Sequence, residues 1–313
     1  MRPFLRKLLT LIITLFIVSL LAFLAFQIIS GDPTTQLLGT NVTPEAAAAL
    51  RTRLGLDRPV LVRYGLWLSG FVHGDMGTSY SYNLPVSGMI AQKLPVTAAL
   101  TGMAFLLMVA FSLPLGIYAA RKEGGFFDRC VTVVDQVVMS VPAFFLGILL
   151  MYSFGILLRL FVPGDFIAFS DSPGRFFLYL FFPALSIALP RVAMTVKMLR
   201  ASILDQMGRD YVRTAYSRGS TRRAALHRHV LRNAILPVIT FIGVSMAEIL
   251  AGSIIIEQVF TVPGIGRLLL ASISSRDYPV VQAIVVILAA WVVAVNALAD
   301  LINQYMDPRL RLD

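Results

Sequence analysis

Residues 210–237 read DYVRTAYSRGSTRRAALHRHVLRNAILP, with six arginines, two histidines and one acid, Asp210, in 28 positions. Val212, Ala215 and Tyr216 have i, i+3, i+4 spacing, so the first half predicts a short helix with a small apolar stripe. Gly219 can take the positive φ that ends a helix. Ser220 can cap a second helix running through Arg222, Arg223, Leu226, Val230 and Leu231. The stretch therefore predicts a basic helix-turn-helix with one face apolar enough to dock. A metal site at His227 and His229 is disfavoured, because residues two apart on a helix point about 200° from each other.

The rest of the chain is very different. It is 313 residues long, 57% hydrophobic and 14% charged, with a mean hydropathy of +0.78. A soluble domain carries about 25% charged residues. Uncharged runs cover Leu8–Ile29, Leu94–Ala120, Phe176–Pro190 and Tyr278–Ala299, the third extending past Arg191 to about Met198; Cys130–Leu158 is broken only by Asp135, and Asn233–Ile256 only by Glu248. A helix needs roughly 20 apolar residues to cross the hydrocarbon. These runs predict an all-α polytopic membrane protein with six transmembrane helices, not a soluble enzyme with a large core. The first run follows Arg2, Arg6 and Lys7, but it is longer than the apolar core of a cleaved signal and no Ala-x-Ala site closes it, so it reads as a retained helix.

Six crossings put both termini on one side. Residues 1–7, 121–129, 197–232 and 307–313 hold 17 of the 27 lysines and arginines, which makes that side cytoplasmic. The net charge of +10 is then a topology signal, and no nucleic-acid partner is implied because the basic stretch lacks interleaved aromatics. The domain reading is 1–30 for the N-terminus and first helix, 31–93 for an outer loop with short helices, 94–306 for the core with its cytoplasmic loop 201–232, and 307–313 for a cytoplasmic tail. In the outer loop, Gly31-Asp32-Pro33 reads as a turn, Thr43-Pro44-Glu45 as a helix start that Gly55 can stop, and Pro59–Phe71 as a second short helix. His73 and Asp75 supply too few ligands for a metal. Pro114, Pro142, Pro183, Pro190 and Pro237 fall inside predicted helices and predict kinks.

Asp135, Arg191, Glu248 and Glu257 are ionisable residues within the apolar runs. Each would cost roughly 2.5–3.5 kcal/mol at mid-bilayer, so such groups face other helices or water. They are candidates for a translocation path or a buried charge pair. The single cysteine, Cys130, excludes an intrachain disulfide. The lysines are Lys7, Lys93, Lys122 and Lys197, and none follows glycine, so the chain has no P-loop. No metal site is predicted.

The basic stretch resembles the coupling (EAA) loop of ABC importer permeases. In that pattern a Glu-Ala-Ala triplet precedes a glycine by four positions; here Arg213-Thr214-Ala215 precedes Gly219, and the hydrophobic tail falls at His229-Val230-Leu231. The acid of the triplet is replaced by Arg213, and the usual proline by Arg232. This variant is similar to the peptide and nickel branch, and to the first of its two permease subunits. Leu54–Pro59, Gly74-Asp75-Met76-Gly77, Leu199-Arg200-Ala201-Ser202, Val262–Arg267, Arg276-Asp277-Tyr278-Pro279 and Asp307-Pro308-Arg309 extend the similarity along nearly the whole chain.

The resemblance implies a type I ABC importer permease fold in the bacterial cytoplasmic membrane. It implies a second homologous permease, two cytoplasmic ATPases, an extracytoplasmic solute-binding protein and surrounding lipid as partners. ATP and magnesium would be bound by the ATPases, and this chain would be non-catalytic and hold no cofactor. Asp210, Tyr211, Arg213, Thr214, Ala215, Tyr216, Arg218, Gly219 and His229 would form the ATPase-coupling surface. Within the branch the cargo is peptide, glutathione, nickel or another metal chelate; peptide is the expectation. A secondary transporter would instead need deep coupling acids and an internal repeat, and a membrane enzyme a catalytic cluster inside the helices; all three histidines lie outside the apolar runs.

Overall fold

The computed structural model describes residues 2–29 and 57–306, with positions 43, 45, 48, 49 and 52 between them. The expected turn at Gly31-Asp32-Pro33, the stop at Gly55 and the tail from Asp307 lie outside the described residues; Glu45, Ala48, Ala49 and Thr52 are helical. The described secondary structure is helical throughout apart from an isolated bridge between Thr78 and Pro85. The chain divides into two compact units, residues 1–95 with 267–293 and residues 96–266 with 294–313.

The first unit contains α1 (Arg2–Ile29) and α2 (Val60–Val72), the latter one residue off the predicted helix. Tyr64 is the buried residue of α2; its hydroxyl lies 2.8 Å from Ser19 Oγ, and its ring meets Phe23 edge-on at 5.4 Å. Burying an aromatic with its polar tip paired gains area without stranding a hydroxyl. The loop after α2 folds on its own backbone: His73 Nδ1 sits 2.7 Å from Ser69 O, and Asp75 Oδ1 accepts from Gly77 N at 2.9 Å. Both side chains are thus engaged locally. Asp277, fully buried, accepts from Ser79 Oγ (2.5 Å), Tyr80 N (3.0 Å) and Ser81 N (3.2 Å). It ties the 79–84 turn to the start of α11 (Tyr278–Met306), the helix that follows α10 (Ile265–Ser274), so the carboxylate is satisfied by three donors.

The second unit is built on α6 (Pro173–Met207), which packs against α4 (Phe126–Ser140), α5 (Ala143–Leu150) and α9 (Leu231–Val259). Small buried residues on α6, including Ala184, Ser186, Ala188 and Ala193, let neighbours approach closely. The end of α3 (Val86–Arg121) is equally tight: a β-carbon on Gly116 would lie 3.0 Å from Leu199. Gly243 of α9 meets Ala299 of α11 so closely that no β-carbon fits between them.

Among the described residues, four helices are long and apolar enough to cross a membrane: Val86–Arg121, Pro173–Met207, Arg222–Val259 and Tyr278–Ile302. In α1 the described apolar part is Leu9–Ala25. The run expected to form one span kinked at Pro142, Cys130–Leu158, is instead two pieces, Phe126–Ser140 and Ala143–Leu157, bent by 104°. The cause is local. Val141 precedes Pro142, is driven out of the helical region to φ −102, ψ 127, and ends α4. The second piece continues from α5 into a π-helical turn, Met151–Leu157. Pro114, Pro183, Pro190 and Pro237 stay within continuous helices.

Candidate coupling hairpin and membrane charge sites

The basic stretch forms the hairpin that its sequence predicts. The first helix, α7, is Asp210–Ser217, with Asp210 placed favourably at the positive end of the helix dipole. Its end carries both bonds of a Schellman motif: Gly219 N donates to Tyr216 O (2.9 Å) and Ser220 N to Ala215 O (3.1 Å), with Gly219 at φ +85. Ser220 is thereby spent on the closing turn. The cap of the next helix falls to Thr221, whose Oγ1 accepts from Ala224 N at 3.3 Å, not to Ser220 as expected. That helix is α8 (Arg222–Ala225), followed by a π turn, Leu226–Val230, in which Leu231 N donates to Leu226 O, and then by α9.

The apolar side of the hairpin faces its own chain. Val212 joins Leu199, Ile203, Ala225, Leu226 and Val230 in one buried cluster, and Ala215 is buried as well. This corrects the expectation of a free greasy docking face, and Tyr216, expected in the stripe, is exposed. The outward surface is polar and aromatic: Asp210, Tyr211, Arg213, Thr214, Tyr216, Arg218, Gly219 and His229 are all exposed, whereas Ala215 is buried. Tyr211 Oη donates to Gln206 Oε1 at 2.9 Å, and Arg209 pairs with Asp205 at 2.9 Å, which raises the arginine's already high pKa. Eight of the nine residues expected to form the coupling surface are thus exposed, seven of them within residues 210–219, and the ninth, Ala215, is buried.

Two ion pairs tie the segment 123–128 to its neighbours, one to α6 and one to the hairpin. Asp128, nearly fully buried, takes Arg200 Nε (2.5 Å) and Nη2 (2.7 Å) in a two-pronged bond and accepts from Gly124 N at 2.9 Å. Arg222 Nη2 reaches Glu123 at 3.3 Å. Neither acid stands out in the sequence, because both lie in a charged turn that reads as an ordinary connection. The signal that could have found Asp128 is its place in the first turn of α4, after Gly124-Gly125. Asp128→Ala leaves Arg200 without its bidentate partner. It should destabilise the protein by about 2 kcal/mol, below the roughly 3–5 kcal/mol of a fully buried pair because Arg200 keeps contact with water. A lowered thermal unfolding midpoint in detergent is the check; an unchanged midpoint would count against the brace.

The four charged residues of the apolar runs do not form one cluster. Arg191 pairs with Glu248 through Nη1 and Oε2, their side chains 26% and 46% exposed. Glu257 is fully buried, accepts from Thr97 Oγ1 at 2.6 Å, and is enclosed by Gly264 and Gly266; Thr97 Oγ1 in turn accepts from Ile265 N at 2.8 Å. Glu257 is thus a buried charge, linked through Thr97 to the loop after α9. Asp135 sits half-buried on α4 among exposed Val133, Val134 and Val137, and Cys130 is exposed.

Apolar spanning helices joined by a basic, rigidly turned hairpin define a polytopic membrane transport component. Residues 112–312 match the binding-protein-dependent transport system inner membrane component, and residues 1–101 match the N-terminal part of such membrane components. The chain belongs to this family, and is a multi-pass protein of the bacterial inner membrane. It is 37% identical over 297 residues to a Brucella abortus protein named for a peptide transport system permease, covering 95% of each chain. It is 31% identical to a nickel import system permease protein of Staphylococcus aureus, over 99% of this chain and 92% of that one. It is also 31% identical to a dipeptide transport system permease protein of Alkalihalophilus pseudofirmus, over 98% of both.

Proposed function

We propose that this chain is one of two permease subunits of an ATP-driven importer that moves di- and oligopeptides into the cytoplasm by alternating access. In this reading six helices cross the membrane with both termini cytoplasmic, the bent pair at Pro142 counting as one span. ATP and magnesium are held by two separate ATPase subunits, and a solute-binding protein delivers cargo on the outer side. The chain itself catalyses no reaction and carries no cofactor.

The observation that carries the reading is the coupling hairpin. Its Val212, buried against Leu199 and Ile203 of α6 and Ala234 and Val238 of α9, fixes α7 to the spans, its Schellman turn stiffens the hairpin, and its exposed face is free for a partner. A lever must be stiff where it joins its load and open where it is pushed. Movement of an ATPase against α7 would then pass through α6 and α9, between which the hairpin lies in the chain. The peptide assignment leans on the relatives named for peptide and dipeptide transport, and the nickel-named relative favours a metal chelate as the second reading.

The test is to reconstitute the complex with its ATPases and binding protein and to measure ATP hydrolysis. Stimulation by binding protein loaded with a dipeptide mixture is the expected result. Stimulation only by a nickel chelate would replace the cargo. A chain that purifies without an ATPase and still transports would overturn the class.

A further inference from the structure

One exposed face of α9 alternates polar and apolar residues. Asn233, Pro237, Thr240, Val244, Glu248, Ala251, Ile255 and Gln258 are all exposed, and they are separated by three or four residues, which places them along one stripe of the helix. The stripe is polar at intervals along the entire span and carries a carboxylate near its middle. The exposed face of α5 and its continuation, by contrast, is Phe144, Phe145, Ile148, Leu149 and Ile156, a surface suited to lipid. A polar stripe against acyl chains is costly, and ionisable groups within spans face helices or water. The Arg191–Glu248 pair is also only half enclosed by its own chain.

We infer that this stripe is the wall of the water-filled cargo path, and that the Arg191–Glu248 pair is a contact station for zwitterionic cargo. Glu248 takes the cargo's ammonium group and Arg191 its carboxylate. The pair holds its own charges together while the path is empty. When cargo arrives, the two ion pairs formed with it replace the internal one, so a zwitterion passes mid-membrane without leaving a charge unpaired. An uncharged or singly charged solute cannot make that exchange, which gives the path a preference of its own. The contact station rests on the peptide-import reading above; the water-lined wall does not.

The experiment separates the two. In a Cys130→Ser background, single cysteines are placed at Val244, Glu248 and Ala251 on the stripe and at Ile148 on the apolar face, and labelled in the assembled transporter with a charged, membrane-impermeant thiol reagent. The stripe thiols should react at least about tenfold faster than the Ile148→Cys thiol in one nucleotide state. Stripe thiols as inert as Ile148→Cys in every nucleotide state would overturn the wall. In the native background, Glu248→Gln should lower dipeptide uptake at least about tenfold while ATPase stimulation by loaded binding protein persists. Uptake at the unsubstituted rate would overturn the contact station. Should the unsubstituted complex itself take up no dipeptide, the peptide reading and the station would fall together, and the thiol labelling would still decide the wall.

Discussion

Replacing Gly219 with tryptophan should leave the ATPases hydrolysing ATP while uptake falls at least about tenfold, a coupling loss of roughly 1.4 kcal/mol or more. Gly219 sits at φ +85, where an L residue costs about 1–2 kcal/mol. That backbone cost is common to Gly219→Ala and Gly219→Trp. What differs is the side chain. A β-carbon at this position meets nothing within 4 Å in the chain itself, so a large ring points away from the hairpin, toward whatever seats against it. The alanine variant should therefore keep most uptake, and the tryptophan variant should fold, assemble weakly with its ATPase and lose coupling. Uptake and hydrolysis measured on the same proteoliposomes decide the matter. Tryptophan variants that transport at the normal rate would remove the hairpin from the coupling path.

Gly266→Val should be the most damaging single change in the second unit. A β-carbon on Gly266 would run into the backbone of Ile254 at Cα and come within 2.9 Å of Glu257 Oε2. Backbone cannot rotate aside as a flexible side chain does, so α9 must shift or the loop must leave. Overpacking of this kind costs about 1–3 kcal/mol by itself. The shift also threatens the bond from Thr97 to Glu257, and a fully buried carboxylate without its donors adds to the loss. Gly102→Ala is the control: nothing lies within 4 Å of that site, and alanine in a helix interior favours folding by about 0.5–1 kcal/mol. Thermal aggregation midpoints in detergent should fall sharply for the first variant and not for the second. Equal midpoints would mean that the loop is not packed as described.

These expectations show what the sequence carries and what it does not. Four of the six expected spans were legible because hydrocarbon thickness imposes a length on apolar runs, and the hairpin was legible because one glycine and one spacing define a helical turn. Pro142 was visible too, yet its effect was misjudged as a kink within one span. A proline's neighbours decide whether freed carbonyls are repaired, and that depends on packing. The direction of the hairpin's apolar side was not legible either: Val212 and Ala215 could have served a partner as well as their own chain. Asp128, Thr97 and Ser79 stayed hidden because their partners, Arg200, Glu257 and Asp277, lie 72, 160 and 198 residues away. No local period announces a bond of that range.

The π turn at Leu226–Val230 has a consequence for how this lever is geared. One residue more than an α-helix needs is wound into the join between hairpin and α9, with Leu231 N bonded five residues back to Leu226 O. Each residue of an α-helix advances the faces by about 100°. Deleting one residue from this segment would let the join relax to ordinary winding with the faces on either side still nearly in register, whereas deleting one from α9 itself would turn the hairpin through roughly that angle relative to the rest of the helix. The push on the hairpin and the polar stripe of α9 would then be out of phase. Substitutions here alter chemistry, but a change in the residue count alters timing.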